Sequence, residues 1–441
     1  MKRSWSRILA LTMGIPLLLA MLVACGSGTT TGTTTTTAGS TTIKIATDLP
    51  VSGKDTSSGK PAENGAHLAV DQANKNHTIP NITLVFDPKD DVGPAGIHDP
   101  AVGAANVTSL VGDALVAGIV GPFNSSVAKA EMPITNQAPL AQISPANTNQ
   151  CLTKNTAEAG CTGANNLIPT LRPTGKVSYF RIATTDDHQG PAGADYMYKT
   201  LNLKKVYVID DAETYGIGIS NAFVKEFTAD GGTVLGHSSE PGSTTSYTSL
   251  LTQIASKSPD AIYFGGLDST GGILVRQQMQ QVPALRNLPL GGGDGLVSNT
   301  FASTIGLNGG STFGTVAVVD TTTSTSAKTF RDQYGAVYGA ANLSVYSASA
   351  YDCANIIIQA IKTALANGAH TPQNSNDAAG GKAFRQAVIS AIQSISFDGV
   401  TGHQAFDANG DTTNKVISIY QLAANATGKP DWIYKTAVTV S

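Results

Sequence analysis

Leu115-Val116-Ala117-Gly118-Ile119-Val120, then Gly121-Pro122, then Phe123-Asn124-Ser125-Ser126 is the stretch that decides the fold. An apolar run this short and unbroken reads as a strand covered on both faces. Gly-Pro is a turn signal, and the Asn/Ser group after it opens a helical stretch near Ser126 to Asn136. A strand that turns sharply into a helix belongs to a parallel sheet.

The same alternation extends outward on both sides. Upstream, Ile43–Ala46 and Ile82–Phe86 read as strands, and Ala62–Asn74 and Pro100–Leu110 as helices. Downstream, Leu140–Ile143 is a short strand, followed by a polar segment holding Cys151 and Cys161. The alternation then restarts. Tyr179–Ile182, Val206–Ile209 and Ala261–Phe264 read as strands, Leu288-Pro289-Leu290 begins another, and helices fall at Pro191–Leu201, Tyr215–Ala229 and Tyr247–Ser256. The simplest account is α/β, with two Rossmann-like, doubly wound units built one after the other. The tail differs. Helices are expected at Tyr346–Leu365 and Lys382–Ile392. Strands at Gly402–Phe406 and Val416–Leu422 flank Asp407-Ala408-Asn409-Gly410-Asp411, whose Asn-Gly pair predicts a hairpin.

The N-terminus sets the compartment. Lys2, Arg3 and Arg7 precede an apolar run, Ile8–Val23, which closes on Leu22-Val23-Ala24-Cys25. That order marks a secretory signal at 1–24. The cysteine after it resembles the bacterial lipoprotein box, with Cys25 as the lipidated mature N-terminus. Residues 26–42 are Gly, Ser and Thr with one Ala, a composition that cannot bury enough apolar surface to order itself and reads as a flexible tether. The expected location is extracytoplasmic, on a membrane through the lipid.

Composition narrows the function. Removing the three cations of 1–24 takes the formal net charge from −3 to −6, with no basic run, so nucleic acid is excluded as a partner. In an oxidising compartment Cys151 and Cys161 are expected to form a local disulfide, while Cys353 on its helix reads as a buried small hydrophobe. The His residues lack ligand spacing. Asp407–Asp411 lacks the later Glu of a calcium loop. No metal and no cofactor is expected.

The order of motifs is similar to the branched-chain amino acid (leucine/isoleucine/valine) binding proteins of ABC importers, with the type I periplasmic binding fold. The similarity spans about Ile43 to Tyr434. It implies two lobes joined by a multi-strand hinge, at 43–183 with 320–410 and at 184–319 with 411–441. It also implies site residues. Ser52–Gly59 leads to the first helix, where Ser58 stands at a position often aromatic in the family. In Gly121–Ser126, Ser125 matches a carboxylate ligand, at a helix N-terminus suited to an anion; a helix cap is the other reading. In Ile143–Thr148, Ala146 and Thr148 match residues that contact the head group. Asp186-Asp187-His188-Gln189-Gly190 places Asp186 either on the ligand or at the hinge. Tyr215 matches a tyrosine that closes over the ligand. Leu267 stands where the family often has an aromatic, and Asp294, among glycines 291–295, matches the acid that pairs with the ammonium.

The expected function is therefore capture of a small, branched-chain-like amino acid by lobe closure and its delivery to a permease. A ligand sensor for a signalling receptor, or a binder of amides or other small solutes, would use the same fold. An extracellular hydrolase is not expected: Gly-x-Ser-x-Gly and His-Glu-x-x-His are both absent.

Overall fold

A computed structural model describes residues 41–307 and 309–439. The signal segment, Cys25 and most of the tether lie outside these residues. The first half runs β1 (Thr41–Leu49), α1 (Thr56–Lys75), β2 (Ile82–Asp90), α2 (Pro100–Gly112), β3 (Val116–Val120), α3 (Ser125–Gln137), β4 (Ala141–Ser144), α4 (Ile168–Leu171) and β5 (Tyr179–Arg181). Its strands pair in the order β2-β1-β3-β4-β5, all parallel. This is lobe 1.

The chain then crosses into α5 (Asp186–Asp195), β6 (Lys205–Asp210), α6 (Thr214–Ala229), β7 (Thr233–Ser239), α7 (Thr248–Ser256), β8 (Ala261–Gly265), α8 (Ile273–Met279), β9 (Leu290–Gly292), α9 (Asn299–Ile305) and β10 (Thr312–Val316). It goes on through α10 (Lys328–Tyr338), α11 (Ser347–Ala366), α12 (Ala378–Gln393), β11 (Phe397–Gly399) and β12 (Gly402–Gln404). It ends on β13 (Val416–Ala424) and β14 (Pro430–Thr439). The second sheet, of lobe 2, has the order β14-β13-β10-β9-β8-β6-β7, parallel except where β13 runs antiparallel to β10 and β14.

Both sheets are covered on two faces, as continuous apolar strands require. In lobe 1, Ile43, Ile45 and Leu49 of β1 pack with α1, α11 and α12 in one core, and Ala46, Val116 and Ile119 face α2 in another. In lobe 2, Val206 and Val208 meet Ile219, Phe223 and Phe227 of α6. On the far side, Ile209 and Ile262 meet helices α7, α8 and α9. Helices α11 and α12, far along the chain, thus complete lobe 1, while β13 and β14 complete lobe 2. The chain leaves the first sheet after β5, returns to its core after β10 with α11 and α12, and rejoins the second sheet at β13. Adjacent passes are tied by Thr184 N–H to the Ala317 carbonyl (2.9 Å) and by the Ser418 hydroxyl to the Val318 carbonyl (2.7 Å).

Three sequence expectations need correction. Helix α1 begins at Thr56, not Ala62, because Pro61 sits early in it and Gly59 lets the Pro50 carbonyl lie against the helix. The helix expected at Pro191–Leu201 begins at Asp186 as α5, and Tyr196–Thr200 continue it as a single π turn. The Asn409-Gly410 turn closes a short hairpin, with an antiparallel bridge between Phe406 and Thr412 and Thr413 N–H donating to the Ala405 carbonyl (2.9 Å), but the longer strands on either side of it pair elsewhere. β12 pairs with Phe397–Gly399, and β13 with β10 and β14. Asp411 is drawn instead to buried Arg181 (2.7 Å), and the Gly410 carbonyl accepts from Arg181 N–H. Asp407 accepts from the N–H groups of Asn409 and Asp411, so both carboxylates of this calcium-like loop are engaged within the protein.

Cys151 and Cys161 are joined in a disulfide, and Cys353 is buried on α11. No described helix is long and apolar enough to cross a membrane.

Candidate functional site

The carboxyl ends of β3 and β4 in lobe 1 and of β6, β8 and β9 in lobe 2 open toward each other, and the loops that follow them line two cavities between the lobes. Ligands of open parallel sheets bind at such ends. The first cavity is lined by Ser125, Ala146, Thr148, Tyr215, Leu267 and Asp294, together with His98, Phe123, Asn124, Ser126, Asp211 and Glu213. The second is lined by Ser58, Leu267 and Asp294, with Pro50, Asp55, Phe123, Asn124, Asp268, Gly295, Val297, Ser344, Val345 and Tyr346. Phe123, Asn124, Leu267 and Asp294 belong to both, so the two spaces adjoin.

Lobe 1 contributes uncharged polar groups. Ser125 is the first helical residue of α3, and the N-cap position is Asn124, so Ser125 is not the cap. The first N–H groups of a helix have no partner within it and favour an anion. The Ser144 hydroxyl accepts from the N–H groups of Ala146 (3.3 Å) and Asn147 (2.9 Å), fixing the turn that presents Ala146 and Thr148. The Asn124 side-chain oxygen is buried without a hydrogen-bond partner, and the buried Thr148 hydroxyl lies against the Asp186 carboxyl.

Lobe 2 contributes a held carboxylate. Asp294 accepts from Gln189 Nε2 (2.8 Å) and from the Tyr215 hydroxyl (3.0 Å), which itself accepts from Gly295 N–H (3.3 Å). Gly293 permits this, because a Cβ there would collide with the Tyr215 hydroxyl. Loss of solvent raises the Asp294 pKa, against the pull of the Gln189 and Tyr215 hydrogen bonds. An anion desolvated in this way gains most when a cation arrives.

Asp186 lines neither cavity. Its N–H donates to the Thr148 carbonyl (2.8 Å), and its carboxyl, fully buried, makes no hydrogen bond of normal geometry. Burial pushes its pKa well up, and the nearby Asp294 charge adds to this.

Several lining residues carried no local signal. Asp55 and His98 are distant in sequence yet pair through His98 Nδ1 and Asp55 Oδ2 (2.9 Å), both buried. Burial opposes both charges, but the mutual hydrogen bond outweighs it, holding the Asp55 pKa below and the His98 pKa above their ordinary values. Phe123 meets Tyr346 edge-on at 5.5 Å, an apolar wall that joins segments more than two hundred residues apart. Gln189 was visible as the Gln of Asp186–Gly190, but its bond to Asp294 was not.

Among the described residues, Asp195, Glu226 and Asp230 form the one acidic group close enough to share an ion, and Lys199 already pairs with Asp195 (2.7 Å) and Asp230 (2.9 Å).

The fold and the cleft define a two-lobed binding protein, and comparison with known proteins agrees. The chain matches the periplasmic binding protein family over residues 42–429 and belongs to it. The Leu/Ile/Val-binding protein BraC3 of Rhizobium johnstonii is 28% identical over 386 residues, covering 87% of this chain and 92% of that protein. The branched-chain amino acid transporter substrate-binding protein LivJ of Streptococcus pneumoniae, solved with isoleucine, aligns with a TM-score of 0.66 at 25% identity, covering 89% of this chain and all of that one. A solute-binding protein of an ABC transporter from R. palustris, solved with 4-hydroxybenzoate, aligns at 0.70 and 18% identity, covering 90% and 97%. These relatives are binding proteins rather than enzymes. The family places the protein outside the cytoplasm.

Proposed function

We propose that this protein is the solute-binding component of an ABC importer. It captures a free α-amino acid between its lobes and hands it to permease subunits. The observation that carries this reading is the division of chemistry across one cavity. Hydroxyl and N–H groups of Ser125, Ala146 and Thr148 stand on lobe 1, and the Asp294 carboxylate held by Tyr215 stands on lobe 2. A zwitterion has one group for each half. Bridging both, it stabilises the closed state over the open one by its differential contacts, which is the form of signal a permease can read. The lobes that close would be 43–183 with 320–410 and 184–319 with 411–441, and lipidated Cys25 would hold the protein at the membrane. The amino-acid-binding relatives and the Cys151–Cys161 disulfide, which suits an oxidising compartment, support the reading.

An aromatic acid is the alternative suggested by the Phe123–Tyr346 wall and by the 4-hydroxybenzoate-bound neighbour. It lacks an ammonium for Asp294. Calorimetric titration with the proteinogenic amino acids and with 4-hydroxybenzoate decides between them. Saturable amino-acid binding that Asp294→Ala weakens by at least about thirtyfold is expected, corresponding to a lost charge partner worth about 2 kcal/mol or more. Binding of 4-hydroxybenzoate alone, indifferent to Asp294→Ala, would overturn the reading.

A further inference from the structure

The second cavity has a chemistry that an aliphatic side chain does not use. From Asp294 it runs past an apolar wall of Phe123, Leu267, Val297 and Tyr346 to two carboxylates, Asp55 on lobe 1 and Asp268 on lobe 2. Asp55 Oδ2 is occupied by His98, and its buried Oδ1 has only the neighbouring Ser269 hydroxyl for company. Asp268 is 7% exposed and is held by the Ser298 hydroxyl (2.5 Å) and by Ser269 N–H (2.8 Å). The two acids line the same cavity from opposite lobes, close enough for the Asp55 charge to act on Asp268, although His98 offsets part of the Asp55 charge. Burial pushes the Asp268 pKa up to about 7, and the Asp55 charge adds to the shift.

We infer that the ligand is an α-amino acid with a cationic side chain, whose ammonium or guanidinium group sits between Asp55 and Asp268 while its aliphatic stem lies along Phe123, Leu267, Val297 and Tyr346. This rests on the proposed amino-acid function and departs from the branched-chain expectation. The first cavity takes the α-carboxylate and α-ammonium, as Asp294 lies where the two cavities meet. The stem of a lysine-like side chain is apolar and suits the wall, and its head carries the donors that Asp55 Oδ1 and Asp268 accept. A cation at this place is attracted to an acid on each lobe, so it contributes to closure as well as to affinity. A branched aliphatic side chain would leave both acids desolvated and opposed, at a cost.

The test is calorimetry of the purified protein with L-lysine, L-arginine, L-leucine and L-norleucine; norleucine has lysine's carbon chain without the ammonium. Lysine or arginine is expected to bind at least about tenfold tighter than norleucine, the worth of one charge-assisted contact. Asp268→Asn should bring that ratio to within about threefold through a loss of lysine affinity. Should Asp268→Asn fail to fold by circular dichroism, the wild-type ratio alone decides. Leucine or norleucine binding as tightly as lysine overturns the inference and leaves the amino-acid function standing. Silence from every amino acid overturns both. A lysine preference that survives in folded Asp268→Asn overturns the placement of the cation.

Discussion

At the scale of single residues, the site trades stability for binding. The Asp294 pKa is raised in the folded state, so its ionised form is less favourable there than in the unfolded chain. Stability tied to this group is therefore present at low pH and lost as pH rises through its folded pKa. Asp294→Asn removes that loss, so its melting temperature without ligand should equal or exceed that of the wild type at pH 8, while affinity collapses. Calorimetric melting beside titration checks both. A lower melting temperature would assign Asp294 a structural role instead. Arg181 is the opposite case. It is wholly buried, and its guanidinium donates to Asp411 and to the carbonyl of Asn149 (2.7 Å each). Asp411→Ala leaves that charge without its carboxylate and should cost about 3–5 kcal/mol by denaturant unfolding. Much of the residue chemistry was legible in the chain. Ser125, Thr148, Tyr215 and Asp294 each stand in a short motif at a strand end. Asp55, His98, Asp268 and Tyr346 were not legible, because each acquires its meaning only through a partner from a distant segment.

At the scale of elements, the loop closed by Cys151 and Cys161 bridges the cleft mouth. Lys225 of α6 donates to the Glu158 carbonyl inside that loop (3.0 Å), and Asn149, just before it, donates to the Thr214 carbonyl of lobe 2 (2.6 Å). Closing a loop of ten residues with a disulfide is worth about 2–3 kcal/mol in a chain-entropy picture. The double variant Cys151→Ser, Cys161→Ser should lower the unfolding free energy by about that much, read by urea titration. It should keep ligand affinity within about threefold, since neither cysteine lines the two central cavities. A larger loss of affinity would make the loop part of the recognition surface. Strand–helix alternation located most elements correctly because buried parallel strands are short and apolar. It found the Asp407–Asp411 turn but misjudged the pairing of the strands on either side, because local turn chemistry reveals neither their distant partners nor that Arg181 will claim Asp411.

At the scale of the whole molecule, buried acids set the response to pH. Burial pushes Asp48, Asp211 and Asp352 up to about 6, and Asp268 to about 7. Each raised pKa means the folded protein holds a proton more tightly than the unfolded chain, so stability falls as pH rises from about 4 through 6 to 7. Against them, Asp187 is held down by Lys154 and Asp210 by His237 despite their burial, and stability from these is lost as pH falls below the ordinary carboxylate range. The two trends meet near pH 4, close to the carboxylate pKa of the unfolded chain. The melting temperature without ligand should peak there and decline toward pH 8. A curve still rising at pH 8 would contradict the assignment.

The pinning of Asp294 has a kinetic consequence. Its partners Gln189 and Tyr215 both belong to lobe 2, so that half of the site stands assembled before any ligand arrives, and Ser125, Ala146 and Thr148 stand ready on lobe 1. A solute landing on either half meets only part of its complement, and many small metabolites carry a matching carboxylate or ammonium. First encounter is then nearly indiscriminate. Competing solutes should associate at similar rates and separate by how long they stay, with the residence time set by whether both halves can shut.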